Sequence, residues 1–279
     1  MENENIIYKN ECGIEFIQFK KLLDLGIMNV YTLKGEDTDF TFNKKNSKSS
    51  YDRICNALKI EKEQILIPRQ AHTDIVICAN ENTTTEDLID IDGLITDKKN
   101  IVLATRNADC ILFMFYDPVK KVIANVHSGW KGTFKKIAQK TVVKMMTNYE
   151  CRVEDVLCFI SPSIRKCHFE VEEDVKELCE EIFNFSVRKD LEILKDIDKK
   201  ITENTKVSEL VIEKGEVIEG KQKYFIDTVL INQILLEEVG LKHENIIDSG
   251  LCSFCNQDKI NSARAEGENF KRAIALIKM

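Results

Sequence analysis

The middle of the chain constrains the fold most strongly, because it consists of short apolar runs separated by polar and turn-forming residues. Between residues 64 and 127 these runs are QILIP, DIVICA, DGLIT, IVLAT, ILFMFY and KVIANVH. Runs of this length, bounded by turn residues, are typical of β-strands. VEDVLCFI, at 153–160, reads as a further buried strand. The sequence therefore predicts substantial β-sheet.

Amphipathic segments flank these strands and predict helices. They cover residues 46–60, the stretch from Trp130 to Tyr149, EVEEDVKELCEEIF, and IDTVLINQILLEEVG, which ends at Gly240. A glycine can adopt the left-handed conformation that often ends a helix. Residues 190–222 read as a charged excursion with a short hairpin, and EGENFKRAIALIKM reads as a short helix followed by a strand. We expect a mixed α/β (α+β) fold, with β-sheets flanked by helices in a single domain over residues 1–279.

Composition and charge exclude several classes of protein. Hydrophobic residues make up 43% and charged residues 31%, which is ordinary for a globular protein. The net charge of −7 argues against a nucleic-acid partner. No stretch approaches the roughly 20 apolar residues of a membrane span, and the first ten residues resemble no secretory signal. We expect a cytoplasmic protein without a membrane partner. Its oligomeric state is left open.

The cysteines and histidines are the residues best suited to chemistry. The ten cysteines are scattered through apolar segments, which favours reduced thiols over a disulfide framework. Cys252 and Cys255 form one CxxC pair. A single pair lacks the other two ligands of a structural zinc site, so these cysteines are interpreted as part of the protein framework and not as metal ligands.

His72 and His127 lie at the ends of strand-like runs, and Cys110 lies between them in NADC. Side chains at three strand ends can converge on one edge of a sheet. Zinc accepts imidazole nitrogen and thiolate sulfur, and a catalytic zinc uses three protein ligands. The alternative is two hydrogen-bonded histidines and one buried thiol.

The order of several motifs resembles that of the YfiH family. These motifs are QAHTDIV, DGLITD, NADC, HSGWKGT, SPSIRKCHFEV and SGLCSFC, and the similarity spans residues 14–279. The family was long labelled polyphenol oxidase or laccase-domain protein and is now described as purine nucleoside phosphorylase. The resemblance implies zinc bound by His72, Cys110 and His127, with copper also reported for the family. It also implies purine nucleoside and phosphate as substrates, phosphorolysis of adenosine, inosine and methylthioadenosine, and deamination of adenosine.

Asp109, Cys110 and His127 are the candidate catalytic residues. Asp109 would transfer protons if the chain turns there, since adjacent residues in a regular strand point to opposite faces. The alternative is a carboxylate that holds the turn or orients a ligand histidine. In Gly129–Gly132, free N–H groups at a helix start together with Lys131 would suit phosphate; the alternative is a tight turn with an exposed lysine. Trp130 would stack on a purine or belong to the core.

Two arginines are further candidates for binding phosphate or ribose. Arg165 lies in SPSIRKCHFEV, where family members often have Gly-Pro and a second cysteine, and it could equally lie in solvent. His168 in the same motif is interpreted as an ordinary histidine rather than a ligand. Arg264 lies in SARAEG, where the family pattern has an arginine directly before an aspartate. These departures from the family pattern weaken the assignment of the family's binding roles to Arg165 and Arg264.

Other functions are possible on the same residues. Cys110 could be the nucleophile of a cysteine hydrolase or deamidase with His127 as its base. Copper-dependent oxidation of phenols is disfavoured, because four histidines are too few for the type 1 and trinuclear copper sites of a multicopper oxidase. A binding module without activity is the remaining alternative.

Overall fold

Two six-stranded sheets form the centre of the fold. The computed structural model describes residues 3–42, 44, 47–84, 86–197 and 199–279. Strands are numbered along the chain. The first sheet has the order β1 (Ile6–Glu11), β2 (Ile14–Phe19), β3 (Met28–Thr32), β15 (Ala273–Lys278), β7 (Val102–Asn107) and β4 (Ile65–Leu66). The second sheet has the order β14 (Ile246–Asp248), β10 (Leu157–Ile160), β8 (Ile111–Asp117), β9 (Val122–Ser128), β6 (Gly93–Thr96) and β5 (Val76–Cys78).

A smaller sheet and the helices surround this centre. The third sheet has the order β11 (Glu170–Val171), β13 (Lys221–Ile226) and β12 (Ile212–Ile218). The helices are α1 (Lys20–Asp24), α2 (Ser47–Leu58), α3 (Trp130–Phe134), α4 (Ile137–Tyr149), α5 (Glu173–Ile182), α6 (Val207–Val211), α7 (Thr228–Glu238) and α8 (Ala263–Glu266). The predicted mixed α/β fold with sheets flanked by helices is confirmed. None of the helices in the described residues is long and apolar enough to cross a membrane.

The side chains of β8 show how the two large sheets are buried. Leu112, Met114 and Tyr116 pack against the first sheet, and Phe113 and its neighbours on the other face pack under α4 and α7. Both faces of the strand are therefore covered, so its sequence is continuously apolar rather than alternating. Contacts such as that between Phe19 and Phe159, with ring centroids 5.2 Å apart, hold the sheets together.

The strand nearest the C-terminus occupies an interior position of the first sheet. β15 pairs antiparallel with β3 on one side and with β7 on the other, so Ala275 lies opposite both Tyr31 and Thr105. All but one of its residues are buried. The tail therefore supplies a central strand, in agreement with the predicted short helix and strand.

The helix predicted from Trp130 to Tyr149 is interrupted. It breaks into α3 and α4 at Lys136, which has the left-handed φ of 62°. The other predicted helices match α2, α5 and α7, and Gly240 follows α7 with a φ of 106°. The predicted hairpin matches the end of β12 and the start of β13. Positions 46 and 198 of the predicted segments lie outside the described residues.

Candidate active site

Three potential metal ligands meet at one edge of the second sheet. His72 lies between β4 and β5, Cys110 ends the turn that connects β7 to β8, and His127 lies near the end of β9. The Nε2 atom of His72 is 3.9 Å from the Sγ atom of Cys110, and one ligand atom from each of the three residues lies within 4.8 Å of the others. The structure thus brings together the three residues that the sequence suggests as ligands. We call them the His/Cys/His cluster.

A buried carboxylate that the sequence analysis missed organises this cluster. Asp92 directly precedes β6 and is fully buried. Its Oδ1 atom accepts a 2.7 Å hydrogen bond from Nδ1 of His127, which leaves Nε2 of that ring for a metal. The carboxylate also accepts the backbone N–H groups of Ala71, His72 and Thr73 and the Thr73 hydroxyl. Asp92 therefore fixes one histidine ring and the backbone of the other.

The backbone of His72 adopts an uncommon conformation. Its φ of 60° lies in the left-handed region, which non-glycine residues seldom occupy. Such conformations persist where surrounding contacts enforce them, and they concentrate at functional sites. Here the three consecutive N–H groups bound by Asp92 supply those contacts.

Without a metal, the cluster favours an ion pair. Burial acts to raise the pKa of the Cys110 thiol, but the adjacent imidazoles of His127 and His72 outweigh it and lower this pKa to about 6. Burial acts to lower the pKa of His127, but the Cys110 thiolate and the Asp92 carboxylate raise it to about 9. Burial acts to raise the pKa of Asp92, yet its hydrogen bonds and the charge of His127 lower it to about 2. At neutral pH, Cys110 is a thiolate.

The donor set and its surroundings fit a metal ion. Imidazole nitrogen and thiolate sulfur are both ligands of transition metals such as zinc, and three protein ligands leave a further coordination position open. Gly129 lies directly over the cluster. A Cβ atom there would lie 2.8 Å from Cδ2 of His72 and 3.0 Å from Sγ of Cys110. Only a glycine lets the backbone approach these two side chains so closely.

A large cavity opens beside the cluster. Its volume is about 700 Å³, which is within the range of cavities that enclose small ligands. Aromatic rings and guanidinium groups share its wall with the cluster. The aromatic residues are Phe42, Trp130, Phe169 and Phe270, and the arginines are Arg69, Arg106, Arg264 and Arg272. The cavity is therefore suited to a ligand that combines a flat apolar ring with negative charge.

Among the residues that the structure describes, the hydrogen-bond partners of the Arg106 guanidinium group are neutral. It is 8% exposed and donates to the carbonyl oxygens of Phe40 and Pro68, and it also contacts the Tyr51 side chain. Burial lowers its pKa from the usual value, and the nearby positive charge of Arg272 acts in the same direction. A buried cation without a carboxylate partner is costly, and an anionic ligand would compensate it.

Asp109 lies in the predicted turn. Its φ of 80° confirms that the strand geometry breaks there. Its carboxylate lines the cavity and accepts two hydrogen bonds, one from the Ser253 hydroxyl at 2.6 Å and one from the backbone N–H of Arg264 at 2.7 Å. Its backbone carbonyl accepts the N–H of Ile164. Asp109 thus connects its own turn to three other segments at the cavity wall.

The HSGWKG segment contributes Trp130 but not Lys131 to the cavity. The Trp130 ring is half-buried in the cavity wall and packs edge-on against Phe134, at 5.5 Å between centroids. Lys131 is exposed, and its ammonium group lies 5.5 Å from the Trp130 ring outside the cavity lining. The helix that begins here, α3, has only five residues instead of the long helix expected, and phosphate binding at its start stays a prediction.

The two predicted arginines differ in position. Arg165 lies outside the cavity lining, and its guanidinium makes a bidentate ion pair with Asp248, at 2.6 and 2.8 Å. This ion pair already satisfies the group that was expected to bind phosphate or ribose. Arg264 does line the cavity, where it donates to the backbone carbonyls of His168 and Glu170.

Comparisons with known proteins identify the family of the chain. The family model described as multi-copper polyphenol oxidoreductase laccase matches residues 38–279. The chain is 29% identical over 230 residues to the human protein "Purine nucleoside phosphorylase LACC1", covering 81% of this chain and 46% of that protein. It is 29% identical over 188 residues to "Purine nucleoside phosphorylase YlmD" of Bacillus subtilis, covering 67% of this chain and 58% of that protein. The chain thus spans about half the length of these curated relatives.

A solved structure shares the fold. The crystal structure of the hypothetical protein YfiH from Bacillus licheniformis superposes with a TM-score of 0.78 at 20% identity, covering 95% of this chain and 96% of that one. The predicted resemblance to the YfiH family is confirmed. Since the family model matches most of the sequence, the chain belongs to the family of multi-copper polyphenol oxidoreductase laccases, whose YfiH-type members share its fold.

Proposed function

We propose that the chain is a zinc-dependent purine nucleoside phosphorylase of the cytoplasm. It would cleave adenosine, inosine and methylthioadenosine with phosphate and would also deaminate adenosine. The observation that carries this proposal is the single cavity that joins the His/Cys/His cluster to four arginines and several aromatic rings. The names of the curated relatives support the reaction class.

His72, Cys110 and His127 would hold the metal. When bound, zinc supplies Lewis-acid activation of water or of a substrate oxygen. The chain itself keeps His127 in the correct tautomer through Asp92 and keeps Cys110 deprotonated. Gly129 leaves the space over the cluster free of a side chain.

The arginines would bind phosphate. Arg106 and Arg272 are close enough for their charges to repel. Within the described part of the chain, the two guanidinium groups donate to carbonyl and hydroxyl oxygens and not to carboxylates. Phosphate between them would relieve this repulsion and would accept their hydrogen bonds. Its oxygen would attack C1′ of the ribose while the bond to the purine nitrogen breaks, giving ribose 1-phosphate and the free base.

The aromatic residues would bind the purine, with Trp130 as the candidate for stacking. Asp109 would either protonate the departing base or hold the loops around it. The hydrogen bonds that its carboxylate accepts from Ser253 and Arg264 favour the positioning role. An Asp109→Asn variant that keeps its metal but loses turnover would support proton transfer, and full activity would exclude it.

The direct test is incubation of the purified, zinc-loaded protein with adenosine and phosphate. Adenine with ribose 1-phosphate indicates phosphorolysis, and inosine indicates deamination. Arg272→Lys should raise the KM for phosphate by about tenfold or more, with little change in the KM for adenosine, because lysine cannot offer two parallel hydrogen bonds. Arg152→Lys, at an exposed arginine paired with Glu154, is the matched control. Absence of all three products, or an unchanged phosphate dependence in Arg272→Lys, would contradict the proposal.

A cysteine hydrolase is the second candidate. It is favoured by one observation: without metal, Cys110, His127 and Asp92 form a chain of thiolate, imidazole and carboxylate. A zinc ion on Cys110 would occupy this nucleophile. Hydrolase or deamidase activity that rises when a chelator removes the zinc would therefore indicate the cysteine hydrolase. Phosphorolysis of adenosine that is lost on the same treatment would indicate the phosphorylase.

A further inference from the structure

A second group of metal-ligand side chains lies apart from the His/Cys/His cluster. It consists of Cys167, His168, Cys252 and Cys255, which we call the Cys3His cluster. One ligand atom from each residue lies within 4.8 Å of the others. Cys252 is buried, His168 is half-buried, and Cys167 and Cys255 are exposed.

The distances within this cluster match a tetrahedral metal site. The sulfur of Cys167 is 3.7 Å from that of Cys252 and 3.8 Å from that of Cys255. Zinc–sulfur bonds of about 2.3 Å at tetrahedral angles place two sulfurs about 3.8 Å apart. The Nδ1 atom of His168 lies 3.2, 3.9 and 3.4 Å from the sulfurs of Cys167, Cys252 and Cys255. The same geometry places a nitrogen about 3.5 Å from each sulfur.

The topology of the second sheet explains why these residues meet. β10 and β14 are parallel neighbours, so the loops that follow them leave the same edge of the sheet. A parallel bridge joins Ser163 to Cys252 beyond the strands. The sequence analysis assigned no metal to the CxxC pair because it lacked two ligands. Cys167 and His168, more than eighty residues earlier, supply them.

The surroundings also fit a bound ion. The ring of His168 stacks on Phe254 with centroids 4.2 Å apart, which turns its Nδ1 atom towards the sulfurs. The backbone N–H groups of Cys255 and Arg165 hydrogen-bond the Cys252 sulfur. A disulfide would require two sulfurs about 2.05 Å apart, whereas Cys167 and Cys252 are separated by 3.7 Å.

We propose that the Cys3His cluster binds a structural zinc ion. Four protein ligands close the coordination shell, so this ion has no position for water or substrate. It would fasten the loop after β10 to the loop after β14. The same loops reach the candidate active site, since Ser253 donates to Asp109 and the carbonyl of His168 accepts from Arg264. The second ion would therefore hold part of the cavity wall.

The test counts metal in a protein that cannot bind it at the first cluster. Full-length Cys110→Ala, purified with zinc present and dialysed, should retain about one equivalent of zinc per chain, and Cys110→Ala with Cys255→Ser should retain almost none. Substituted with Co²⁺, the single variant should show the intense absorption of a tetrahedral thiolate site. Cys12→Ser in the same background, at an exposed cysteine outside both clusters, should leave metal content and spectrum unchanged.

Either of two results with these variants would overturn the proposal: a folded Cys110→Ala protein without zinc, or a Cys255→Ser change that leaves the zinc and the cobalt spectrum intact. If the Cys255→Ser protein fails to fold, a mercurial reagent can be added to the Cys110→Ala protein instead. The reagent reacts with thiolates and therefore releases only the zinc that thiolates bind. Release of about one equivalent supports the site, and no release excludes it. A Cys167–Cys252 disulfide found by peptide mapping of the native protein would also exclude it.

Discussion

Replacing Asp92 by asparagine removes the group that connects the two histidines of the first cluster. Oδ1 accepts from the N–H of His72 and Nδ1 of His127, and Oδ2 accepts from the N–H groups of Ala71 and Thr73 and from the Thr73 hydroxyl. Asparagine turns one of these oxygens into an amide donor. Whichever oxygen is replaced, at least two donors lose their acceptor.

The expected cost follows from this count. A buried donor left without its acceptor costs about 1–3 kcal/mol, so the loss of two should lower the free energy of unfolding of metal-free Asp92→Asn by about 2–6 kcal/mol. Because the ring of His127 loses its fixed orientation, metal affinity at the first cluster should fall by about 10–100-fold. Urea unfolding measures the first quantity, and competition with a chromophoric chelator measures the second.

Asp97→Asn provides the matched control for this prediction. Asp92 directly precedes β6, and Asp97 directly follows it. The exposed carboxylate of Asp97 pairs with Lys98. The control should change stability by about 0.5 kcal/mol or less and leave metal affinity unchanged. A metal affinity of Asp92→Asn within about twofold of the wild type would refute the role assigned to this carboxylate.

Two further predictions concern the same cluster. Gly129→Ala should lose most metal at this site, because its Cβ atom would press against His72 and Cys110. The control Gly132→Ala should bind metal normally, because its Cβ atom would meet no atom closer than 3.4 Å. Metal analysis of the two purified proteins compares them. In the metal-free protein, iodoacetamide should alkylate Cys110 at a rate that falls only as the pH drops below about 6. An ordinary thiol loses reactivity already below about pH 8.5. Bound zinc should protect Cys110 from alkylation. Mass spectrometry of the labelled peptide gives this profile, and a midpoint near 8.5 would contradict the ion pair with His127.

Local sequence signals predicted most of the elements of the fold. The apolar runs of β6 to β10 and the helical spacing of α2, α5 and α7 were sufficient, because each element is long or strongly patterned. The break at Lys136 was not visible, since a lysine in the left-handed conformation carries no distinctive signal. The partners of β15 were also invisible, because pairing between strands so far apart depends on the whole fold.

The candidate site was predictable only where chemistry and position coincide. In the sequence, His72, Cys110 and His127 carry ligand groups close to strand-like runs, so their convergence could be proposed, although His72 lies in the loop between β4 and β5. Asp92 could have been noticed as a carboxylate immediately before a buried strand, but its role needs the three-dimensional contacts. Arg165 could not be placed, because its partner Asp248 lies 83 residues away. Cys167 and His168 were separated from Cys252 and Cys255 for the same reason.

The interior position of β15 affects how the protein is synthesised. β3 and β7 are translated long before residues 273–278, and each keeps an unpaired edge until those residues leave the ribosome. Open edges of this kind can pair with other chains. The first sheet must therefore close after translation has reached its last strand, and we expect nascent chains to depend on chaperones until then.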